Sequence, residues 1–280
     1  NLPTIKGSLS DGLLKTLDTK PRIEDTMATS NPKAYEFYLK GKYKFEKRKS
    51  KEDFEIAQGL IKKAIELDNN LINAKHLLAF SYFLNKDYDK AMEKYTDNME
   101  QAINLGDKHG VAGAFAGLGL LSWNNGEYEK ALDYYNNALK ISIEIGDNYW
   151  KGISLASMGM LYQNIGQYDK ALKYIHHSLN TYQDDDDRRM ICVVLNTMGW
   201  HYWIRGDYNN SLDYLIRSLT MAEEEEEIAL TINPLNNIGL VYVEQQDYKK
   251  SLEYLKKTEI LQKQLNGRVG FEATIYISLS

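Results

Sequence analysis

The histidines, the single cysteine and the acidic runs are the residues of this chain whose types could support catalysis or metal binding. None of the five histidines has the spacing of a metal-binding pair, and the adjacent His176 and His177 must point to different faces of a helix. Cys192 has no histidine near it in the sequence to act as a base, so we interpret it as a packing residue. The chain also lacks a phosphate-binding glycine loop, a Gly-x-Ser-x-Gly turn and a His-Glu-x-x-His motif. We therefore predict no catalytic residue, no metal site and no cofactor, and we expect that this segment is not an enzyme.

Two acidic runs, Asp184–Asp187 and Glu223–Glu227, lie about forty residues apart. They lack the alternating ligands and the glycine of a calcium-binding loop. An acidic residue just before a helix interacts favourably with the positive end of the helix dipole, so solvated turns explain both runs. The remaining functional interpretation is a surface for a basic partner.

The composition argues against two kinds of partner. The 280 residues carry a formal net charge of −5, whereas a nucleic-acid-binding protein normally shows a basic stripe. No stretch approaches 18 consecutive apolar residues, so membrane insertion is not predicted. A single cysteine excludes an intramolecular disulfide and fits a reducing compartment, and we expect a cytoplasmic location.

A tyrosine recurs every forty residues and marks an internal repeat. In each copy an acidic or amide residue precedes the tyrosine. Two further residues follow the tyrosine, and then come an Ala or Ser and a hydrophobic residue. The five tyrosines are Tyr88, Tyr128, Tyr168, Tyr208 and Tyr248. Within a unit, apolar residues have helical spacing on both sides of a turn. A fixed period of this length indicates stacked two-helix units rather than one central core.

Glycines occupy two recurring positions in these units. One set lies in the middle of the first helix, where glycine costs roughly 1 kcal/mol relative to alanine, and it predicts a close approach of the second helix. These residues are Gly119, Gly159, Gly199 and Gly239, and they would face Ala131, Ala171, Ser211 and Ser251. The other set lies in the turn between the helices and comprises Gly126, Gly166 and Gly206. Lys86 and Gln246 replace glycine in two turns, which we expect to be less regular.

The recurring residues resemble the tetratricopeptide repeat, and the resemblance covers roughly residues 34–270. The third unit matches the pattern of that family in order, through Phe115, Leu118, Gly119, Gly126, Tyr128, Ala131, Tyr135 and Ala138. The unit is forty residues long rather than the usual 34, and Gly-Asp turns replace the proline that ends the family's repeat. This longer form resembles the repeats of bacterial peptide-sensing regulators and of animal spindle-orientation adaptors. The resemblance implies an all-α, right-handed superhelical solenoid of antiparallel helix pairs.

The first unit and the chain ends differ from the other units. The phrase from Ala34 to Tyr43 resembles the start of the repeat region in bacterial class III adenylate cyclases and related multidomain regulators. We expect a linker over residues 1–31 and a repeat array over residues 32–280, with about six helix pairs and a C-terminal half-repeat at residues 271–280. We also expect that the chain is a piece of a longer protein.

The family resemblance implies that the first helix of each unit lines a concave groove. The positions that fall there by register are rich in amides, which pair with a peptide backbone, and in aromatic residues, which are common at binding hot spots. The candidate groove residues are Phe80, Phe83, Trp123, Asn124, Gln163, Asn164, Asn196, Trp200, Trp203, Asn236 and Asn237. Two alternatives stay open. Asn124 and Asn164 would merely end their helices, and Trp123, Trp200 and Trp203 would pack between helices.

These features predict a regulatory module that binds a protein or an extended peptide in the groove. The resemblance of the first unit favours a larger bacterial signalling protein as the parent, with an adenylate cyclase as the preferred candidate. The partner would then be a separate protein, a peptide or the parent's own catalytic domain. The alternative is self-association, in which a homodimer of the array would hold two attached catalytic domains together.

Overall fold

The computed structural model describes residues 31–265, and this part of the chain consists of helices joined by short turns. The predicted half-repeat and, apart from Asn31, the predicted linker lie outside the described residues. The helices are α1 (Pro32–Glu46), α2 (Lys51–Leu67), α3 (Ile72–Leu84), α4 (Tyr88–Leu105), α5 (Lys108–Asn124), α6 (Tyr128–Ile145), α7 (Asn148–Asn164), α8 (Tyr168–Asp184), α9 (Arg188–Ile204), α10 (Tyr208–Glu224), α11 (Ile228–Glu244) and α12 (Tyr248–Gln264).

The twelve helices form six antiparallel pairs that stack into a right-handed solenoid, which confirms the predicted fold class. Odd-numbered helices are the first helices of the units and even-numbered helices are the second. Neighbouring first helices pack against one another more closely than neighbouring second helices do. The first helices therefore form the inner, concave layer. Among residues 31–265, no helix combines the length and the apolar character that a membrane span requires.

The two layers have different sequence patterns because they have different numbers of neighbours. The second helix α8 buries one stripe, which includes Ala171 and Ile175, and exposes the opposite face at Lys173. The first helix α9 touches its own second helix and both neighbouring units. Consecutive residues such as Val194 and Leu195 are therefore both buried.

The mid-helix glycines permit the close approach that the sequence predicts. The hydroxyl of Ser211 on α10 donates a hydrogen bond of 2.8 Å to the carbonyl oxygen of Gly199 on α9. A Cβ atom at Gly199 would lie only 2.5 Å from Cγ of Leu215, and one at Gly159 would lie 3.1 Å from the carbonyl oxygen of Ala171. Any side chain at these positions would push the two helices of the unit apart.

The turns inside the units are more regular than the sequence suggested. Lys86 and Gln246 both have φ of 60°, which is the left-handed conformation that Gly126 and Gly166 adopt in equivalent turns. The expectation of irregular turns at Lys86 and Gln246 is therefore wrong. The packing of the flanking helices holds these residues in a conformation that costs roughly 1–2 kcal/mol for an L-residue.

The recurring tyrosines begin the second helices, at the edge where successive units meet. The ring of Tyr168 in the fourth unit contacts the ring of His201 in the fifth, with 6.4 Å between centroids. Tyr248, in the last described unit, is 66% exposed. Deeper in the units, tyrosines of the two helices stack on each other, as Tyr202 and Tyr214 do at 5.4 Å. The tyrosines thus belong to the scaffold.

Replacement of a mid-helix glycine tests how far the fold depends on this close contact. We expect Gly199→Ala to destabilise the array by about 1–3 kcal/mol, because the new methyl group overpacks the contact with Leu215. Gly59→Ala on α2 is the matched control, since no atom lies within 4 Å of its Cβ position. That change should stabilise the helix by up to about 1 kcal/mol. Urea unfolding followed by circular dichroism measures both effects, and equal midpoints for the two variants would contradict the packing argument.

Candidate binding groove

The groove is the inner face of the first helices, where partly exposed side chains recur every three or four residues. Its central part is formed by α7, α9 and α11. The partly or fully exposed residues of this part are Ile153, Ala156, Ser157, Met160, Asn164, Val193, Asn196, Trp200, Trp203, Ile204, Asn233, Asn237, Leu240, Val243 and Glu244. Among them only Glu244, which is exposed at the end of α11, is charged. The groove therefore presents apolar surface interrupted by amides.

Two tryptophans of α9 lie side by side in the groove. The ring centroids of Trp200 and Trp203 are 4.4 Å apart, and both side chains are partly exposed. Trp203 also packs against the buried cluster of Leu215, Ile238 and Val241, which fixes its position. Its indole Nε1–H is buried and has no hydrogen-bond acceptor. An unpaired buried donor costs about 1–3 kcal/mol, so a ligand that supplied an acceptor here would recover that free energy.

An amide cluster joins the fifth and sixth units beside these tryptophans. The side chain of Asn237 donates a hydrogen bond of 3.0 Å to Oδ1 of Asn196. The sequence pairs Asn196 with Asn236 by phase, but the bond between the units runs to the neighbouring Asn237. Asn236 is only 6% exposed, and its Oδ1 atom accepts no hydrogen bond. The region therefore contains one acceptor, on Asn236, and one donor, on Trp203, that have no partner among the described residues.

Gln163 and His201 form a buried link between the fourth and fifth units. Gln163 is 3% exposed, and its Oε1 atom lies 3.0 Å from Nδ1 of His201. Burial lowers the pKa of His201, and the positive charge of Arg205 adds to this effect. The neutral imidazole can donate from Nδ1 to the glutamine oxygen. Gln163 therefore lies within the array rather than on its open surface.

The remaining candidates lie on α3 and near the ends of α5 and α7. Phe80 and Phe83 stack with an interplanar angle of 9° and a centroid distance of 6.2 Å, and Phe83 is buried. Trp123 is partly buried against the cluster around Ala131 and Tyr135. The last residues of α5 and α7, Asn124 and Asn164, are exposed. The structure thus brings together five candidates, which we name the amide–tryptophan region: Asn196, Trp200, Trp203, Asn236 and Asn237.

Sequence reasoning missed a polar network on the inner face of the second to fourth units. His109 lies between Asp147, whose carboxylate oxygen is 2.6 Å from Nδ1, and Trp150, whose indole donates to Nε2 over 3.3 Å. The ring of His76 meets Trp150 edge-on at 4.8 Å. The sequence feature that could have indicated this contact is Gly113, because a Cβ atom there would lie 2.6 Å from the Trp150 ring. The network fills the inner face at this point.

The geometry defines a class of protein, an α-helical repeat solenoid whose inner groove is lined mainly by apolar and amide side chains. The model of the tetratricopeptide repeat family matches residues 70–144, 110–184, 153–224 and 190–264, which together span more than half of the chain. The chain therefore belongs to the tetratricopeptide repeat family.

Several solved structures share the fold at low sequence identity. BtubC from P. vanneervenii is 20% identical with a TM-score of 0.55, over 79% of this chain and 92% of that chain. A Rap protein complexed with competence and sporulation factor is 12% identical with a TM-score of 0.67, over 91% and 70% of the two chains. NprR in complex with its cognate peptide NprX is 16% identical with a TM-score of 0.63, over 92% and 74%.

No curated protein sequence matches the chain. The matches that we found give no support to the resemblance between the first unit and class III adenylate cyclases, and that resemblance stays a prediction.

The buried histidine predicts how stability depends on pH. Because the pKa of His201 is lowered in the folded state, the unfolded chain takes up a proton more readily as the pH falls below about 6.5. Stability should therefore be full above that value and decrease below it. We expect His201→Gln to reduce this loss when urea midpoints are compared at about pH 7.5 and about pH 5.5. His177→Gln, which changes an exposed histidine, is the control, and the same pH dependence in both variants would contradict the assignment.

Proposed function

We propose that the groove binds a protein or an extended peptide, with the amide–tryptophan region as the centre of the site. The observation that carries this proposal is the contact between the partly exposed rings of Trp200 and Trp203 on α9, the helix whose Asn196 is hydrogen-bonded to Asn237 of the next unit. Nε1 of Trp203 and Oδ1 of Asn236 are in addition a donor and an acceptor without partners. A peptide group offers one acceptor and one donor, and the tryptophans offer apolar contact at low rotamer cost. Both unpaired atoms are buried in the unliganded chain, so a ligand would reach them only after the side chains of Trp203 and Asn236 changed rotamer.

The charge of the groove indicates the kind of segment that it would accept. Apart from Glu244 at the end of α11, the exposed residues of its central part carry no charge, so few side chains there would pair with a charged ligand residue. A buried charge without a partner is costly. The preferred ligand is therefore an extended segment with few charged residues, recognised through its backbone and its apolar side chains.

The fold similarity supports this proposal but does not carry it. Two of the similar solved structures, Rap and NprR, are complexes with a factor and a peptide respectively, and both share the fold at identities below 20%. We further propose that the chain is a regulatory segment of a larger bacterial signalling protein. An adenylate cyclase is the preferred parent because of the first unit's sequence.

Peptide selection provides the test. We would select peptides from an unbiased displayed library on the wild-type chain and measure their affinities by fluorescence anisotropy. Trp200→Ala should weaken binding at least tenfold, about 1.4 kcal/mol, because it removes the exposed apolar contact. The double variant Asn196→Ala/Asn236→Ala should weaken it by a similar factor through the loss of amide partners.

Tyr248→Ala is the matched control, because it removes an exposed aromatic ring outside the groove. Peptides that bind the folded Trp200 and asparagine variants as tightly as the wild type would contradict the groove assignment. Sedimentation of the wild-type chain at high concentration is the parallel test of the alternative, self-association, and a dimer that dissociates on peptide binding would place the dimer contact in the groove.

A further inference from the structure

The turn between α1 and α2 differs from the equivalent turns of the other units. Those turns have three residues with a central residue in the left-handed conformation, as at Lys86 and Gly126. The first turn has four residues, 47–50, and none of them has positive φ. Its first three residues, Lys47, Arg48 and Lys49, are all cations, and we name them the basic tip.

The basic tip lies against the far end of the array. The ammonium group of Lys47 donates a hydrogen bond to the backbone carbonyl oxygen of Glu225, which is 178 residues away in the sequence. Lys49 lines a cavity of about 700 Å³ together with Glu223, Glu226 and Glu227. The superhelix thus winds far enough for its first unit to touch the turn between the fifth and sixth units.

Arg48 is the buried member of the tip, with 6% of its surface exposed. Its guanidinium group lies 4.5 Å from the ring centroid of Phe45 and donates to the carbonyl oxygen of that residue. Burial lowers the pKa of Arg48 to about 10, and nearby Arg189 lowers it as well, while Glu227 and Glu46 raise it. Arg48 therefore stays charged at neutral pH, and carboxylates must compensate its burial.

Glu227 provides part of that compensation, and it does not cap the following helix as the residues at equivalent positions do. In equivalent positions, Asp147 and Asp187 accept hydrogen bonds from amides of the helix that follows, as N-caps do. Glu227 precedes α11 but makes no such bond. Its carboxylate instead accepts a hydrogen bond of 3.0 Å from Nε of Arg189. Both partners in the contact therefore differ from the equivalent parts of the other units. The tip has an extra turn residue, and the turn that it contacts lacks the helix cap.

We propose that the acidic turn Glu223–Glu227 is a docking surface for the basic tip, and that this contact closes the superhelix as a clasp. The sequence left a basic partner as the functional option for this acidic run, and the chain itself supplies basic residues. Arg188 pairs with Glu224 and Glu225, Arg189 pairs with Glu227, and the tip reaches the same turn through Lys47 and Lys49. The clasp does not depend on the groove having a ligand. Small rotations between units add along a solenoid, so opening the clasp would allow the superhelical pitch of the whole array to change. A basic segment of another protein would compete with the tip for the same turn.

Chemical cross-linking tests the contact in the intact chain. In a Cys192→Ser background, we would treat Lys47→Cys/Glu225→Cys with a short bis-maleimide reagent. The matched control is Lys47→Cys/Asp185→Cys, because Asp185 is the C-cap of α8 just as Glu225 is the C-cap of α10 one unit later. We expect an intramolecular product to form at least tenfold faster in the first pair. Equal rates in the two pairs, or a product that joins two molecules, would overturn the proposal.

Small-angle X-ray scattering tests the closure independently. Lys47→Glu/Lys49→Glu should raise the radius of gyration, because it repels the tip from the acidic turn but keeps the packing of Arg48. Lys40→Glu/Lys51→Glu makes the same charge change at exposed lysines whose ion pairs within residues 31–265 are to Glu36 and Glu55 of their own helices, and it should leave the radius unchanged. High salt should raise the radius of the wild type, because it screens the attraction between the lysines of the tip and the glutamates of the turn. Equal radii for the two charge-reversed chains, with helix content intact by circular dichroism, would also overturn the clasp.

Discussion

The close contact between the two helices of each unit is the constraint on which the rest of this structure depends. Glycines such as Gly159 and Gly199 let the backbone of the second helix approach the first, and the unit then has one fixed crossing geometry. Because each unit packs mainly on its neighbours, that geometry is passed along the array and sets the shape of the superhelix. The direction in which the groove opens, and the return of the first unit toward the fifth and sixth, both follow from it.

Residues that keep the repeat register build this scaffold, and residues that break it are the ones to which we assign function. The stacked tyrosines and mid-helix glycines recur unit after unit and lie in the packing layers. Asn237 and Trp200 have no equivalent amide or tryptophan in the fourth unit, where Ser157 and Met160 occupy the same positions. The basic tip and Glu227 break the register in a different way, through an extra turn residue and a missing helix cap.

The sequence was sufficient to predict the fold, because a forty-residue period and helical spacing are both local signals. The face that carries the site stays a prediction. It did not reveal which amides meet, since the bond from Asn237 to Asn196 depends on how two units are offset. The left-handed turn at Lys86 was also missed, because tertiary packing overrides the preference of the residue. Lys47 and Glu225 meet only because the small twists between successive units add up, and no local sequence pattern indicates that two residues so far apart in the chain are in contact.

The central claim is that ligands bind at Trp200 and Trp203 on the inner face. Two-dimensional NMR of the tryptophan indole N–H groups tests it directly, with a peptide selected on the wild-type chain as the probe. We predict that the signals of Trp200 and Trp203 shift on titration, with that of Trp203 moving downfield as its unpaired N–H gains an acceptor. The signal of Trp150, whose N–H already donates to His109, should stay in place. Saturable binding that moves the Trp150 signal and leaves those of Trp200 and Trp203 unchanged would contradict the account.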